Sequence, residues 1–153
     1  MLALLVLAVL QAATPSHQHD LVLSDVGRFA VFADRASLDR QDGQATVRSF
    51  QVAEAGFQAA GRAYAGGWSN WRFDCAAGTW DRLDFAAVDE AGVEGPATPD
   101  GAPPSPVEPG SAAEGLFGLA CGPANEDAGA TLDETIRRGR VLLAEQANAS
   151  TEE

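Results

Sequence analysis

The sequence predicts an α+β fold: a small antiparallel β-sheet with a helix at about residues 111–121 and one disulfide, Cys75–Cys121. Three observations carry this. Between Trp68 and Val88 apolar and polar residues alternate on both sides of Ala77-Gly78, the pattern of an antiparallel hairpin with one buried face. Ser111 and Glu114 have capping-box spacing in front of an apolar run ending at Cys121 and Gly122. The chain has two cysteines, and behind an apolar leader such a pair reads as a structural disulfide.

Taken in order, Leu2–Leu10 is an apolar run followed by Gln11-Ala12-Ala13-Thr14-Pro15. It is too short to span a bilayer and suits a signal-peptide core, so residues 1–13 are expected to be cleaved and the protein to be periplasmic or secreted. No Lys or Arg precedes the run, so either the start is truncated or the leader is atypical. No cysteine near the leader offers a lipid-attachment point, and no later segment has the length and apolarity of a membrane span. Residues 14–27 read as a flexible N-terminal segment. Two histidines in its mobile His17-Gln18-His19 make a weak ligand set, and no metal or cofactor is expected.

Phe29–Phe32 reads as a short strand, Asp34–Asp39 as a turn or one helical turn, Asp42-Gly43 as a tight turn and Ala45–Ala53 as the return strand. Gly56–Gly67 reads as an irregular connection. In the hairpin, Trp71, Phe73 and Cys75 alternate with Asn70, Arg72 and Asp74, and Leu83, Phe85 and Ala87 with Arg82, Asp84 and Ala86. Pro96–Pro109 is a proline-rich surface loop, read as a stiff connector or a ligand for a partner. In the helix that follows, Leu116, Phe117, Leu119 and Ala120 give an apolar stripe, and Gly115 and Gly118 suit a close approach to the sheet. Residues 123–153 read as an acidic linker, a helix near 132–146 opened by Thr131 and Glu134, and a loose tail; the helix docks on its own domain or on a partner.

The net charge of −12, with ten arginines and no lysine, excludes nucleic acid and anionic lipid surfaces as partners. No Gly-x-Ser-x-Gly, His-Glu-x-x-His or phosphate-loop motif is present. Both histidines precede the domain, which leaves no base for a Ser or Cys nucleophile, so the protein reads as a non-enzyme with no catalytic residue. Asp74, Asp81 and Asp84 are a carboxylate set on paper, but alternation puts Asp74 and Asp84 on a solvated face. Trp68, Trp71 and Trp80 on one hairpin are the candidate binding residues: either core aromatics or a platform for a sugar or peptide.

Phe73-Asp74-Cys75, then Pro109-Gly110-Ser111, then Ala120-Cys121-Gly122, together with Phe32-Ala33-Asp34, Ser37-Leu38 and Arg40 upstream, resemble the bacterial surface-adhesin protein E-like family over about residues 28–122. The resemblance implies an antiparallel sheet with a helix strapped to it by the disulfide, in an exported envelope protein that binds an unidentified protein or glycan. The alternative is a small exported inhibitor or envelope assembly factor that uses the proline loop or the C-terminal helix. The extra helix and the missing lipid-attachment cysteine are departures from the family's pattern.

Overall fold

The structure is a computed structural model that describes residues 18–151; the leader, His17 and the last two residues lie outside the described residues. The elements are β1 (Leu21–Val26), β2 (Ala30–Gln41), β3 (Gln44–Val52), β4 (Gln58–Ala59), β5 (Arg62–Asp74), β6 (Thr79–Arg82), β7 (Asp84–Asp89), β8 (Thr98–Pro99), β9 (Ser105–Pro106), α1 (Ala112–Cys121) and α2 (Leu132–Ala149). β1, β2, β3 and β5 form an antiparallel meander. β6 and β7 share the far side of β5, β6 against Trp71–Asp74 and β7 against Tyr64–Trp68. The open α+β sheet, the helix ending at Cys121 and the Cys75–Cys121 bond all match the sequence expectation.

Several local expectations are corrected. Leu21–Val26, expected in a flexible lead-in, is strand β1, with Leu21 and Val22 buried against β2. Asp34–Asp39 is neither a turn nor a helical turn. β2 runs through it with a bulge, and side chains replace the lost ladder bonds. The Asp34 carboxylate accepts from the N–H groups of Asp20 and Ala36; Ser37 Oγ donates to the Asp34 carbonyl and accepts from the Arg48 N–H. Gly56–Gly67 is ordered too: β4 folds back on the start of β5 through a turn at Ala60-Gly61, and β5 continues to Asp74. At Asp42-Gly43 both residues have positive φ, as the two-residue turn from β2 to β3 requires.

The sheet is buried on both faces where the sequence predicts one. On one face Val31, Ala33, Val47, Trp71 and Phe73 pack with Leu116 and Ala120 of α1. On the other, Phe32, Phe50, Val52 and Trp68 pack toward Leu132, Ile136 and Leu143 of α2. The C-terminal helix is therefore docked on its own domain. The proline loop lies along the free side of β6 and β7, pairing through β8 and β9, with the Trp80 indole donating to the Pro106 carbonyl. Prolines on an edge leave few donors for a further strand.

Ser111 caps α1 by accepting from the Glu114 N–H, but the Glu114 carboxylate reaches back to the Gly110 N–H, so the expected capping box is only half closed. At the other end Arg40 of β2 donates to the Leu119, Ala120 and Gly122 carbonyls, a cation where helix carbonyls are unpaired. Gly115 gives the predicted close approach, since a Cβ there would lie 2.4 Å from the Ser24 carbonyl oxygen; Gly118 faces open space.

α2 opens on the full capping box predicted for Thr131 and Glu134. Glu134 accepts from the Thr131 backbone N–H and hydroxyl, which hold its carboxyl below the ordinary value of 4.5. A group held low in the folded state contributes stability that is present above its ordinary pKa and is lost as pH falls through the folded value. Glu134→Gln should therefore flatten the acid limb of the unfolding midpoint below about pH 4.5 relative to the wild type. Parallel curves for the two proteins from about pH 7 to about pH 3 would show that the cap carries no pH-dependent stability.

Candidate binding recess

α1 is ten residues long and covers only part of its face of the sheet. Beside its first residue, Ala112, an open hollow of about 490 Å³ remains, within the roughly 300–1,000 Å³ range of small-molecule sites. The sheet supplies its floor through Val31, Gln51, Gly67 and Ala87. One end is built from Trp71, Arg82 and Phe85, the other from Phe29, Phe57 and Tyr64. The Phe29 and Phe57 rings meet edge-on with centroids 6.0 Å apart, and the Tyr64 N–H donates to the Phe57 carbonyl.

A break at Leu83 makes this geometry. Arg82 pairs with Trp71 and Ala86 with Trp68, three positions apart on β5 and four apart on the opposing strand pair, so one residue is extra. The sequence alternation, which puts Arg82 opposite Phe85, therefore fails at this point. Trp80 and Arg82 share a face with Phe85 and Ala87. The Phe85 ring packs over Gly67, where a Cβ would lie 2.3 Å from it, and Phe85 is still 40% exposed.

The polar side chains under the recess are engaged with one another. The Trp71 indole and the Gln51 amide each donate to Ser49 Oγ at 2.8 Å, and Ser69 Oγ donates to Gln51 Oε1. Ser49 and Ser69 are fully buried. The floor thus offers an apolar surface with its hydrogen bonds already made.

The three candidate tryptophans are not brought together. Trp68 sits on the α2 face, 3% exposed, with Phe50 at 4.9 Å, the His19 ring at 4.8 Å and the Arg48 guanidinium at 4.3 Å. Trp71 and Trp80 are on the α1 face with centroids 5.3 Å apart; Trp71 lines the recess. His19, expected in a mobile tail, is instead fixed by its Nδ1 at 2.7 Å from the buried Asp34 carboxylate.

The hairpin carboxylates are occupied structurally. Asp74 accepts from the Ala76 and Ala77 N–H groups, Asp81 pairs with Arg72, and Asp84 accepts from Asn70. Among the described residues no group of three or more His, Cys, Asp or Glu is placed to hold a metal ion. No helix among them is long and apolar enough to cross a membrane. Sequence reasoning missed Phe29, Phe57, Tyr64 and Phe85 because they come from distant segments. The readable signal was Gly66-Gly67 inside a strand pattern, which marks the close approach of another group.

No curated protein and no solved structure matches the chain. The family model described as surface-adhesin protein E matches residues 21–122, from the start of β1 to the cap of α1, and α2 lies beyond it. The matched span holds the sheet, the disulfide and every residue that lines the recess, and the chain belongs to the surface-adhesin protein E family.

Proposed function

We propose that this protein is an exported, non-catalytic envelope module that binds an external ligand through the recess beside α1. The observation that carries this reading is the recess itself: an open apolar hollow on a rigid sheet, bordered by a helix that a disulfide locks in place. Its lining favours an apolar group over a bare glycan, which would need unspent polar partners. Family membership supports an adhesin-type binding role, and the disulfide supports an oxidising compartment. An inhibitor that works through a protruding proline loop is less well supported, because that loop is paired to β6 and β7.

The test uses the neutral fluorescent probe N-phenyl-1-naphthylamine. Ala87→Trp fills the floor and should weaken probe binding by about tenfold or more, the loss of one well-buried apolar contact. Val141→Ser, on the exposed side of α2, should leave it unchanged. Equal affinity in all three proteins would overturn the recess as the site. Thiol titration of the denatured exported protein should find no free thiol.

A further inference from the structure

Resting on the recess as the binding site, we infer that its ligand is an uncharged, elongated apolar molecule with a carbonyl-type hydrogen-bond acceptor at one end. Arg82 receives the acceptor, and the apolar body lies over Gly67 and Ala87 toward Phe57. The hollow is long enough for a chain. Along β5 its lining runs from Tyr64 to Trp71, roughly 23 Å at about 3.3 Å per residue. A volume of about 490 Å³ spread over that length makes a trough.

The trough carries no net charge. Arg82 is the one charged residue in its lining. The Arg82 Nε donates to the Asp100 carboxylate at 2.6 Å, so the pair cancels at that end. The pairing is built into the backbone. The Asp100 N–H donates to the Leu83 carbonyl at 3.1 Å, at the same break that brings Arg82 and Phe85 onto one face. A carboxylate arriving at Arg82 would also face Asp100, in a molecule of net charge −12. An ammonium group would face the guanidinium. The opposite end, Phe29, Phe57 and Tyr64, adds no charged side chain to the lining.

Hydrogen-bond donors remain only at the Arg82 end. The side chains of Ser49, Gln51, Ser69 and Trp71 are engaged with one another, so the floor cannot replace the water of a polar body. The Arg82 η nitrogens donate to no group among the described residues. They bear N–H groups and no acceptor, so they recognise an oxygen lone pair. A bare hydrocarbon lying over them would take away their water and return nothing. A neutral carbonyl satisfies them without setting a like charge against Asp100.

Displacement of N-phenyl-1-naphthylamine at about pH 7 by three ten-carbon chains tests this: N,N-dimethyldecanamide, decanoate and decyltrimethylammonium. The amide is an acceptor without an N–H, and it should displace the probe at about one-tenth the concentration that either ion needs. Asp100→Asn keeps the backbone bond to Leu83 and removes the counter-charge, so decanoate should overtake the amide. Arg82→Met keeps the apolar stem, removes the donors and leaves Asp100 unpaired, so decyltrimethylammonium should overtake the amide. Either ion matching the amide on the wild-type protein would overturn the uncharged head. The wild-type order persisting in either variant would overturn Arg82 as the place of the head and leave the recess standing. Displacement that survives Ala87→Trp would overturn the recess itself.

Discussion

Serine at both Cys75 and Cys121 should lower the unfolding free energy by about 4 kcal/mol, the denatured-state entropy released when a loop of 46 residue steps is no longer closed. Small domains have about 5–15 kcal/mol in total, so a loss of that size moves the denaturant midpoint far toward zero. The local structure supports a large effect. The only large side chain that α1 buries fully is Leu116; its other buried residues are Ala113 and Ala120, and Phe117 meets Phe73 edge-on at the margin. Burial of two alanines and one leucine anchors ten residues weakly, and two glycines inside the helix lower its intrinsic stability further. The bond joins the turn after β5 to the last residue of α1. Guanidinium unfolding of the oxidised protein, of the same protein with reductant, and of the double serine variant is the measurement. A shift below about 1 kcal/mol would show that the denatured chain is already compact around this loop.

The same bond links stability to binding. Ala112, at the start of α1, borders the recess, so a helix released at Cys121 no longer holds that border. Reduction should therefore weaken probe binding even where the sheet stays folded. Val141→Ser, remote from the bond, provides the reference.

What the sequence disclosed follows the reach of each signal. Asp42-Gly43, the Ser111 cap and the Thr131–Glu134 box are set within four residues, and each was legible. Two-sided burial was written in Ala30-Val31-Phe32-Ala33, a continuous apolar run where a sheet with one wet face would alternate. Its counterpart, the docking of α2, depends on Gly139, where a Cβ would lie 2.7 Å from the Val52 side chain. The stripe Leu132, Ile136 and Leu143 puts Gly139 on the docked face, but a residue without a side chain adds no apolar signal there. The recess was the least legible feature. Phe29 and Phe57 are far apart in the chain, and Phe85 reaches the same face only because Leu83 shifts the strand by one residue. Bulges of this kind are set by tertiary pairing, so alternation alone assigned Arg82 to the wrong face.

Gly66→Ala should destabilise the protein by roughly 3 kcal/mol or more, the upper range for overpacking a well-ordered core. The added methyl would lie 2.1 Å from the Gln51 carbonyl oxygen and 3.0 Å from the Phe50 ring. A flexible side chain could move aside; a backbone oxygen in this place cannot. Gln51 is paired with Val31 on one side and Gly67 on the other, so shifting it disturbs β2, β3 and β5 together. The cost is steric and not conformational, because Gly66 is absent from the positive-φ positions. Gly118→Ala provides the contrast. That glycine lies inside α1 with nothing within 4 Å of its added methyl, so alanine should stabilise by about 1 kcal/mol through helix propensity alone. One substitution with opposite signs at two glycines separates close backbone approach from helix propensity. A thermal midpoint for Gly66→Ala equal to that of the wild type would mean that β3 and β5 can part at this point, and the floor of the recess would then be softer than its paired strands imply.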